Sequence, residues 1–189
     1  MSTDHMSEEL KRSPSEIAEA VSIDKKGGRR RPIRSRVNKL GSDVISTPEF
    51  RETYNRRHHL TTSVARHSIR VAGVCVVLSA GADVLGIKVD RKLLIVAALC
   101  HDLGMLNRDT YRTARETYRQ HPVDAVPIIE ESLGIHDEKL NNAVEAHMYP
   151  LNGTRPRSKE AVMLIIADKI GSVMDLFAFD HIRSSGKGS

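Results

Sequence analysis

The sequence predicts an all-α fold in which about five to seven helices pack into one bundle. Three observations favour this fold class. Apolar residues recur at intervals of three and four, as on one face of a helix. No stretch alternates apolar and polar residues convincingly, as a half-buried strand would. Residues that favour helix ends, such as Thr47, Asp90 and Gly104, stand at the borders of the periodic stretches.

A basic segment precedes the predicted bundle. Residues 25–39, KKGGRRRPIRSRVNK, hold eight lysines and arginines and no acid, so the rest of the chain carries a net charge of −3 within the total of +5. Because like charges repel and the run contains two glycines and a proline, we expect residues 1–42 to form a disordered basic tail. The tail could contact nucleic acid or an anionic membrane surface, or it could be a solvated linker. Nucleic acid is not favoured, because no aromatic side chain interrupts the run. The residues assigned to an anionic contact are three consecutive arginines, Arg29, Arg30 and Arg31.

The composition is that of a globular protein long enough for one hydrophobic core, with 40 % apolar and 28 % charged residues in 189. The longest stretch without a charge is 12 residues from Val71, and a membrane span requires roughly 20. The first residues are polar and resemble no secretory signal, so we expect a cytoplasmic protein without a transmembrane segment. Cys75 and Cys100 lie in apolar runs and are predicted to be packed, reduced thiols.

The domain is expected to cover residues 43–182, after a short helix at 13–21. Thr47 can cap a helix that Pro48 begins. A long helix follows over 61–80, where His67 completes a face of valines spaced by three or four residues and therefore points inward.

The next predicted helix begins after Asp90 and ends at Gly104, and it is apolar all round. His101 and Asp102 emerge at its C-terminal end, at the edge of the core. Burial of an unpaired polar group costs on the order of 2–7 kcal/mol, so these two side chains require partners.

Three further helices complete the predicted bundle. The first has Pro122 at its first position and His121 just outside it. The second spans 137–148 and places His147 on its apolar face. The third is capped by Ser158 and directs Asp168 toward apolar neighbours, and residues 183–189 have the composition of a flexible terminus.

Several of these inward histidines and aspartates together predict a metal centre. Taken singly, each has an ordinary explanation: a core histidine with a hydrogen bond, a helix cap, or a pair between Asp168 and Lys169. Together they come from five separate segments, and imidazoles and carboxylates bind divalent transition metals such as Mn, Fe, Co, Ni or Zn. The predicted ligands share an inward face or a helix end: His67, His101, Asp102, His121, His147 and Asp168. His58 and His59 in RRHHLTTS have no such spacing, although this segment could line the pocket.

The order of these residues resembles the H…HD…D signature of the HD-domain metal-dependent phosphohydrolases. The signature is carried by VARHSIRVA, CHDLG and IIADKIG, and QHPVDAVPIIE and VEAHMYPL are similar to the two extra histidine motifs of members with two metals. The resemblance implies a first metal on four residues, His67, His101, Asp102 and Asp168. It also implies that Asp102 bridges to a second metal on His121 and His147, with His101 and Asp102 as the catalytic pair.

The resemblance implies a phosphohydrolase in which metal-activated water attacks a phosphomonoester or phosphodiester, presumed from the family to be that of a nucleotide. Arg108 and Lys169 are candidates for binding the phosphate. Two alternatives stay open: a di-iron oxygenase on the same ligands, and a non-catalytic binding or regulatory domain that keeps its metals for stability. Met105 stands where some relatives have lysine, and the GYP motif is absent, so cleavage of cyclic dinucleotides is not supported.

Overall fold

The structure is a computed structural model that describes residues 30–58 and 62–185. Within these ranges the regular elements are seven α-helices and two 3-10 helices, with no strand, which confirms the predicted all-α class. The α-helices are α1 (Arg30–Ile45), α2 (Pro48–Glu52), α3 (Val64–Val84), α4 (Arg91–Cys100), α5 (Ala114–Leu133), α6 (Glu138–Glu145) and α7 (Lys159–Ser185). The 3-10 helices span Leu103–Thr110 and Ala146–Met148.

Helix α4 is the centre of the hydrophobic core. Every residue from Leu93 to Cys100 is buried, as its uninterrupted apolar sequence predicts. Helices α3, α6 and α7 pack against it, and α3 also packs along α7. Because α4 is enclosed on all sides, its C-terminal end delivers His101 and Asp102 into the interior.

Helix α3 is the one helix in the described ranges that is long and apolar enough to cross a membrane. A helix in the core of a bundle can have the same length and apolar composition. Helix α3 packs against both α4 and α7 and buries His67, so it is a core helix of the bundle. The cytoplasmic location stays a prediction.

The predicted helix starts rest on side-chain caps that the structure contains. Thr47 Oγ1 accepts a hydrogen bond from Phe50 N at 3.2 Å, and Asp90 Oδ1 accepts one from Leu93 N at 3.0 Å. Ser158 Oγ accepts from Ala161 N at 3.1 Å at the start of α7. Each cap satisfies a backbone donor that the first helical turn leaves without a partner.

The tail predicted over residues 1–42 is wrong for its last part, because α1 begins at Arg30. The apolar positions Val37 and Val44 are buried at a spacing of seven, and Gly41 between them lies against Leu99. This burial stabilises a helix that the local positive charge disfavours. Pro32 falls in the first turn, where its missing N–H costs nothing.

The rest of the predicted N-terminal segment lies outside the described residues, including the short helix at 13–21 and Arg29. Arg30 and Arg31 are the first two residues of α1. Their contact with nucleic acid or an anionic surface stays a prediction. At the other end, α7 continues to Ser185, three residues beyond the predicted domain boundary.

The start predicted for α5 is also wrong. The helix begins at Ala114, eight residues before Pro122, so that His121 lies inside it and Pro122 and Pro127 are interior prolines. An interior proline removes a helical hydrogen bond, which is why the sequence favours a start at Pro122. A cap at Thr113, whose Oγ1 accepts from Glu116 N at 3.1 Å, stabilises the additional turns.

Glu160 is a buried carboxylate that ties three elements together. Its Oε1 accepts from Asp90 N at 2.9 Å, and its Oε2 lies 2.9 Å from Lys139 Nζ. Burial opposes the ionisation of Glu160, but the hydrogen bonds from Asp90 and Lys139 outweigh burial and lower its pKa. The ionised carboxylate therefore stabilises the fold.

The Glu160→Gln variant is expected to lose about 1.5–3 kcal/mol of unfolding free energy at pH 7, since hydrogen bonds to charged groups contribute that much. Because the folded-state pKa is lowered, this stability is present above the unfolded value of 4.5 and is lost as the pH falls through the folded pKa. Urea unfolding at pH 7 and at pH 3.5 measures the unfolding free energies of the wild type and the variant. The difference between them should be smaller at pH 3.5. The exposed Glu131→Gln is the control, and an equal loss in both variants would contradict this role.

Candidate metal centre

The six residues predicted to bind metal lie together inside the bundle. They come from five elements: His67 from the first turn of α3, His101 and Asp102 from the end of α4, His121 from α5, His147 from the second 3-10 helix, and Asp168 from α7. All six are between 0 and 4 % exposed. The assembly of side chains so distant in sequence is a property of the fold, and it creates a cluster of imidazoles and carboxylates shielded from water.

The two carboxylate oxygens of Asp102 face different imidazoles. Asp102 Oδ1 lies 3.2 Å from His121 Nε2 and 3.6 Å from His147 Nε2. Asp102 Oδ2 lies 3.4 Å from His101 Nε2. The carboxylate therefore stands between two groups of ring nitrogens.

Asp168 forms the other carboxylate of the cluster. Its Oδ1 lies 3.0 Å from His67 Nε2 and 3.8 Å from His101 Nε2. Its Oδ2 accepts from Lys169 Nζ at 2.7 Å. One oxygen of Asp168 thus faces the interior of the cluster, and the other faces the partly exposed lysine.

Backbone carbonyls fix the orientation of three of the imidazoles. Each ring donates Nδ1–H to a carbonyl oxygen of the preceding turn: His101 to Ala98 at 2.8 Å, His121 to Thr117 at 2.6 Å and His147 to Val144 at 2.7 Å. A carbonyl oxygen only accepts, so the ring proton lies on Nδ1. Each Nε2 then presents a lone pair to the centre of the cluster, and His121 Nε2 is only 3.0 Å from His147 Nε2.

Burial lowers the pKa of two of these rings, and the surrounding imidazoles lower the pKa of the carboxylates. Burial lowers the pKa of His101 and holds that of His147 well below its ordinary value. Burial opposes the ionisation of Asp102, but the imidazoles of His101 and His58 outweigh it and hold the pKa of this carboxyl well below its usual range. For Asp168 burial likewise opposes ionisation, and the hydrogen bond with His67 outweighs it and lowers the pKa.

The inward Nε2 atoms of His101, His121 and His147 and the carboxylate of Asp102 form a set of acceptors, and a cation fits such a set. His101 Nε2 and Asp102 Oδ2 are buried without a hydrogen-bond partner of good geometry. Ligand atoms about 2.1 Å from one ion lie roughly 3.0–3.4 Å apart, and the separations given above, from 3.0 to 3.8 Å, are close to these values. Two buried groups of possible ligands share His101: His67 with Asp168, and Asp102 with His147. The cluster could therefore hold metal ions.

His58 belongs to this region, although its spacing in the sequence did not place it among the predicted ligands. Its ring stacks on His67 with centroids 3.7 Å apart, and its Nε2 lies 3.2 Å from Asp102 Oδ2. The chain folds back here through a bridge between Arg57 and Ser63, which helical spacing does not reveal. His59 lies outside the described residues.

Asp175 is a second residue beside the cluster that was not predicted from the sequence. It is buried, and its Oδ2 lies 2.7 Å from His67 Nδ1. Its position seven residues after Asp168 places both carboxylates on one face of α7, and this spacing is the signal that could have identified it.

The two cations predicted to bind substrate differ in their positions. Lys169 contacts Asp168 directly, as described above, and its side chain is 53 % exposed, so it stands at the edge of the cluster. Arg108 is exposed and donates from Nη1 to the backbone oxygen of Arg57 at 3.1 Å. Among the contacts described for Arg108, none joins it to one of the six clustered residues.

The chain matches the family model of the HD domain over residues 64–172. These 109 of the 189 residues include all six clustered side chains but neither His58 nor Asp175. No curated protein and no solved structure matches the chain.

Proposed function

The chain belongs to the HD-domain family, in general a superfamily of metal-dependent hydrolases, and from this premise we propose that it hydrolyses a phosphate ester with two bound metal ions. The observation that carries the proposal is the convergence of buried ring nitrogens and carboxylate oxygens, with three of the imidazoles bonded to backbone carbonyls through Nδ1 so that Nε2 points inward. Within the described residues this cluster is buried and assembled from five elements, so it is built into the fold.

The positions of the Asp102 oxygens support two ions. His67, His101, Asp168 and Asp102 Oδ2 would hold one ion, and His121, His147 and Asp102 Oδ1 would hold the other. Two divalent cations that share a carboxylate supply Lewis acidity toward a phosphate ester and lower the pKa of water, so that hydrolysis proceeds near neutral pH.

The residues of the chain orient the proposed metal ligands, and the two buried cysteines are unsuited to act as nucleophiles. The backbone carbonyls bonded to His101, His121 and His147 keep each Nε2 directed inward, which is the role of outer groups in metal sites. Burial, together with the charge of Asp168, raises the pKa of the Cys75 thiol to about 12, and burial also raises that of Cys100. Neither thiol is therefore a nucleophile at neutral pH.

The proposed substrate is a small phosphorylated molecule, and a nucleotide is favoured by the family. Lys169 is the cation best placed to meet its phosphate, because its ammonium group lies beside Asp168 and is partly exposed. Arg108, beside the segment that carries His58, is a second cation for the same purpose.

The test begins with elemental analysis of anaerobically purified protein, followed by hydrolysis of bis(4-nitrophenyl) phosphate with Mn²⁺, Fe²⁺, Co²⁺, Ni²⁺ or Zn²⁺ added. Two transition-metal ions per chain and metal-dependent release of 4-nitrophenol are expected. Bound iron with oxygen uptake and no hydrolysis would favour a di-iron oxygenase instead. Bound metal with neither reaction would favour a binding or regulatory domain.

The His121→Ala variant is expected to lower the metal stoichiometry from two ions toward one, because His121 and His147 are the imidazoles on the Oδ1 side of Asp102. Elemental analysis after dialysis gives the number of metal ions per chain directly. The control is His136→Ala, which removes a histidine whose side chain is 73 % exposed. Unchanged stoichiometry in His121→Ala would remove this residue from the ligand set.

A further inference from the structure

Asp175 lies on the outer side of the His67 ring, away from the metal cluster. Its Oδ2 is 2.7 Å from His67 Nδ1, while His67 Nε2 faces Asp168 Oδ1 at 3.0 Å. Both His67 and Asp175 are buried, at 0 and 2 % exposure. Asp175 also lies beyond the segment that matches the HD domain, so the family match assigns it no role.

We propose that Asp175 is a positioning residue, which holds the ring proton of His67 on Nδ1 so that Nε2 is presented to the metal. An ionised carboxylate only accepts hydrogen bonds, so a bond at 2.7 Å requires the proton on Nδ1. The inference rests on the proposed function, because a metal is the partner that the Nε2 lone pair would meet.

His67 differs in this respect from the other imidazoles of the cluster. His101, His121 and His147 donate to neutral backbone carbonyls. A negatively charged acceptor makes the imidazole a more basic ligand than a carbonyl does. Asp175 therefore strengthens the ion position formed by His67, His101 and Asp168 relative to the position formed by His121 and His147.

The other oxygen of Asp175 is held by its own partners. Thr62 Oγ1 lies 3.3 Å from Asp175 Oδ1, and the guanidinium of Arg70 forms an ion pair with the same oxygen. Arg70 follows His67 by three residues on α3, so one helix supplies the guanidinium at Oδ1 and the imidazole at Oδ2. These contacts leave Oδ2 directed at His67.

The ion pair with Arg70 also argues against a different role for Asp175. Possible ligand atoms of His58, His67 and Asp175 lie within 4.8 Å of one another, which taken alone would suit a further metal site. A guanidinium already compensates the charge of this carboxylate, and it would repel a cation placed there. A role in orienting His67 agrees with the contacts that Asp175 makes with both His67 and Arg70.

The experiment compares Asp175→Asn with Arg70→Gln and the wild type. Titration calorimetry with Mn²⁺ should show the tighter site weakened by about 10–100-fold in Asp175→Asn, the usual effect of losing an outer carboxylate. In Arg70→Gln the Asp175–His67 bond stays, and the Kd should change less than about threefold. Nitrogen-15 NMR of metal-free protein should show a proton on His67 Nδ1 in the wild type and in Arg70→Gln, and a lower occupancy of that proton in Asp175→Asn.

Three results would overturn the inference. They are a His67 Nδ1 without a proton in the folded wild type, an unchanged Kd and an unchanged Nδ1 proton in Asp175→Asn, or equal weakening of Mn²⁺ binding by both substitutions. The first is read on the wild type alone, so the test does not depend on a stable variant. Wild-type protein that binds no Mn²⁺ would contradict the proposed function instead, and the tautomer of its His67 would still decide the role of Asp175.

Discussion

The Asp102→Ala variant is expected to lose metal-dependent hydrolysis by about 10³-fold or more and to retain fewer than two metal ions per chain. Asp102 is the only one of the clustered side chains whose two oxygens face both groups of imidazoles. Its removal takes one ligand from each proposed ion. Lewis-acid stabilisation by a metal is worth several kcal/mol, and each 1.36 kcal/mol corresponds to a factor of ten in rate.

The measurement combines elemental analysis with turnover of bis(4-nitrophenyl) phosphate. Asp43→Ala is the matched control, because it removes an exposed carboxylate on α1. Circular dichroism on both variants separates loss of metal from loss of fold. Full metal content together with full turnover in Asp102→Ala would show that this carboxylate does not bridge two ions.

The sequence carries most of the information that assembles this cluster. The apolar run of α4 predicts that His101 and Asp102 emerge inside the bundle, since a helix without a polar face is enclosed. The positions of His67 and Asp168 follow from helical spacing in the same way. What spacing cannot give is the distance between side chains on different helices, so the two faces of Asp102 are visible only in the structure.

Other features were hidden because they depend on non-local contacts. His58 reaches Asp102 through a chain reversal that pairs Arg57 with Ser63, and neither residue has a periodic context. The charge of residues 25–39 predicts disorder, yet burial of Val37 and Val44 favours a helix over part of this run. In both cases tertiary packing outweighs the local sequence preference.

The start of α5 is another feature that local sequence preference does not predict, and it affects a proposed metal ligand. A proline is a reliable sign of a helix start, and Pro122 follows His121 directly. The helix nevertheless continues through Pro122, so that His121 can donate from Nδ1 to Thr117 one turn earlier. The orientation of this ring thus depends on helical turns that local sequence rules would exclude.

The Gly104→Ala variant is expected to lower the free energy of unfolding by about 1–3 kcal/mol, the usual cost of overpacking, and to disturb the metal position of His121. A Cβ at residue 104 would collide with the backbone carbonyl of His121 and lie 2.9 Å from Ala125 N. Backbone atoms cannot move aside as a flexible side chain does, so α5 would have to shift. Because α5 carries His121, we expect the metal stoichiometry to fall from two toward one.

Thermal unfolding and elemental analysis together test this role of the glycine. Gly81→Ala is the matched control, because Gly81 lies within α3 and a Cβ added there meets nothing within 4 Å. Alanine in a helix interior is favoured over glycine by roughly 0.5–1 kcal/mol, so the control should gain stability and keep its metal. If Gly104→Ala behaved like Gly81→Ala, the close approach of the CHDLG segment to α5 would not be what holds His121 in place. A loss of stability with two ions retained would mean that His121 does not depend on the position of α5.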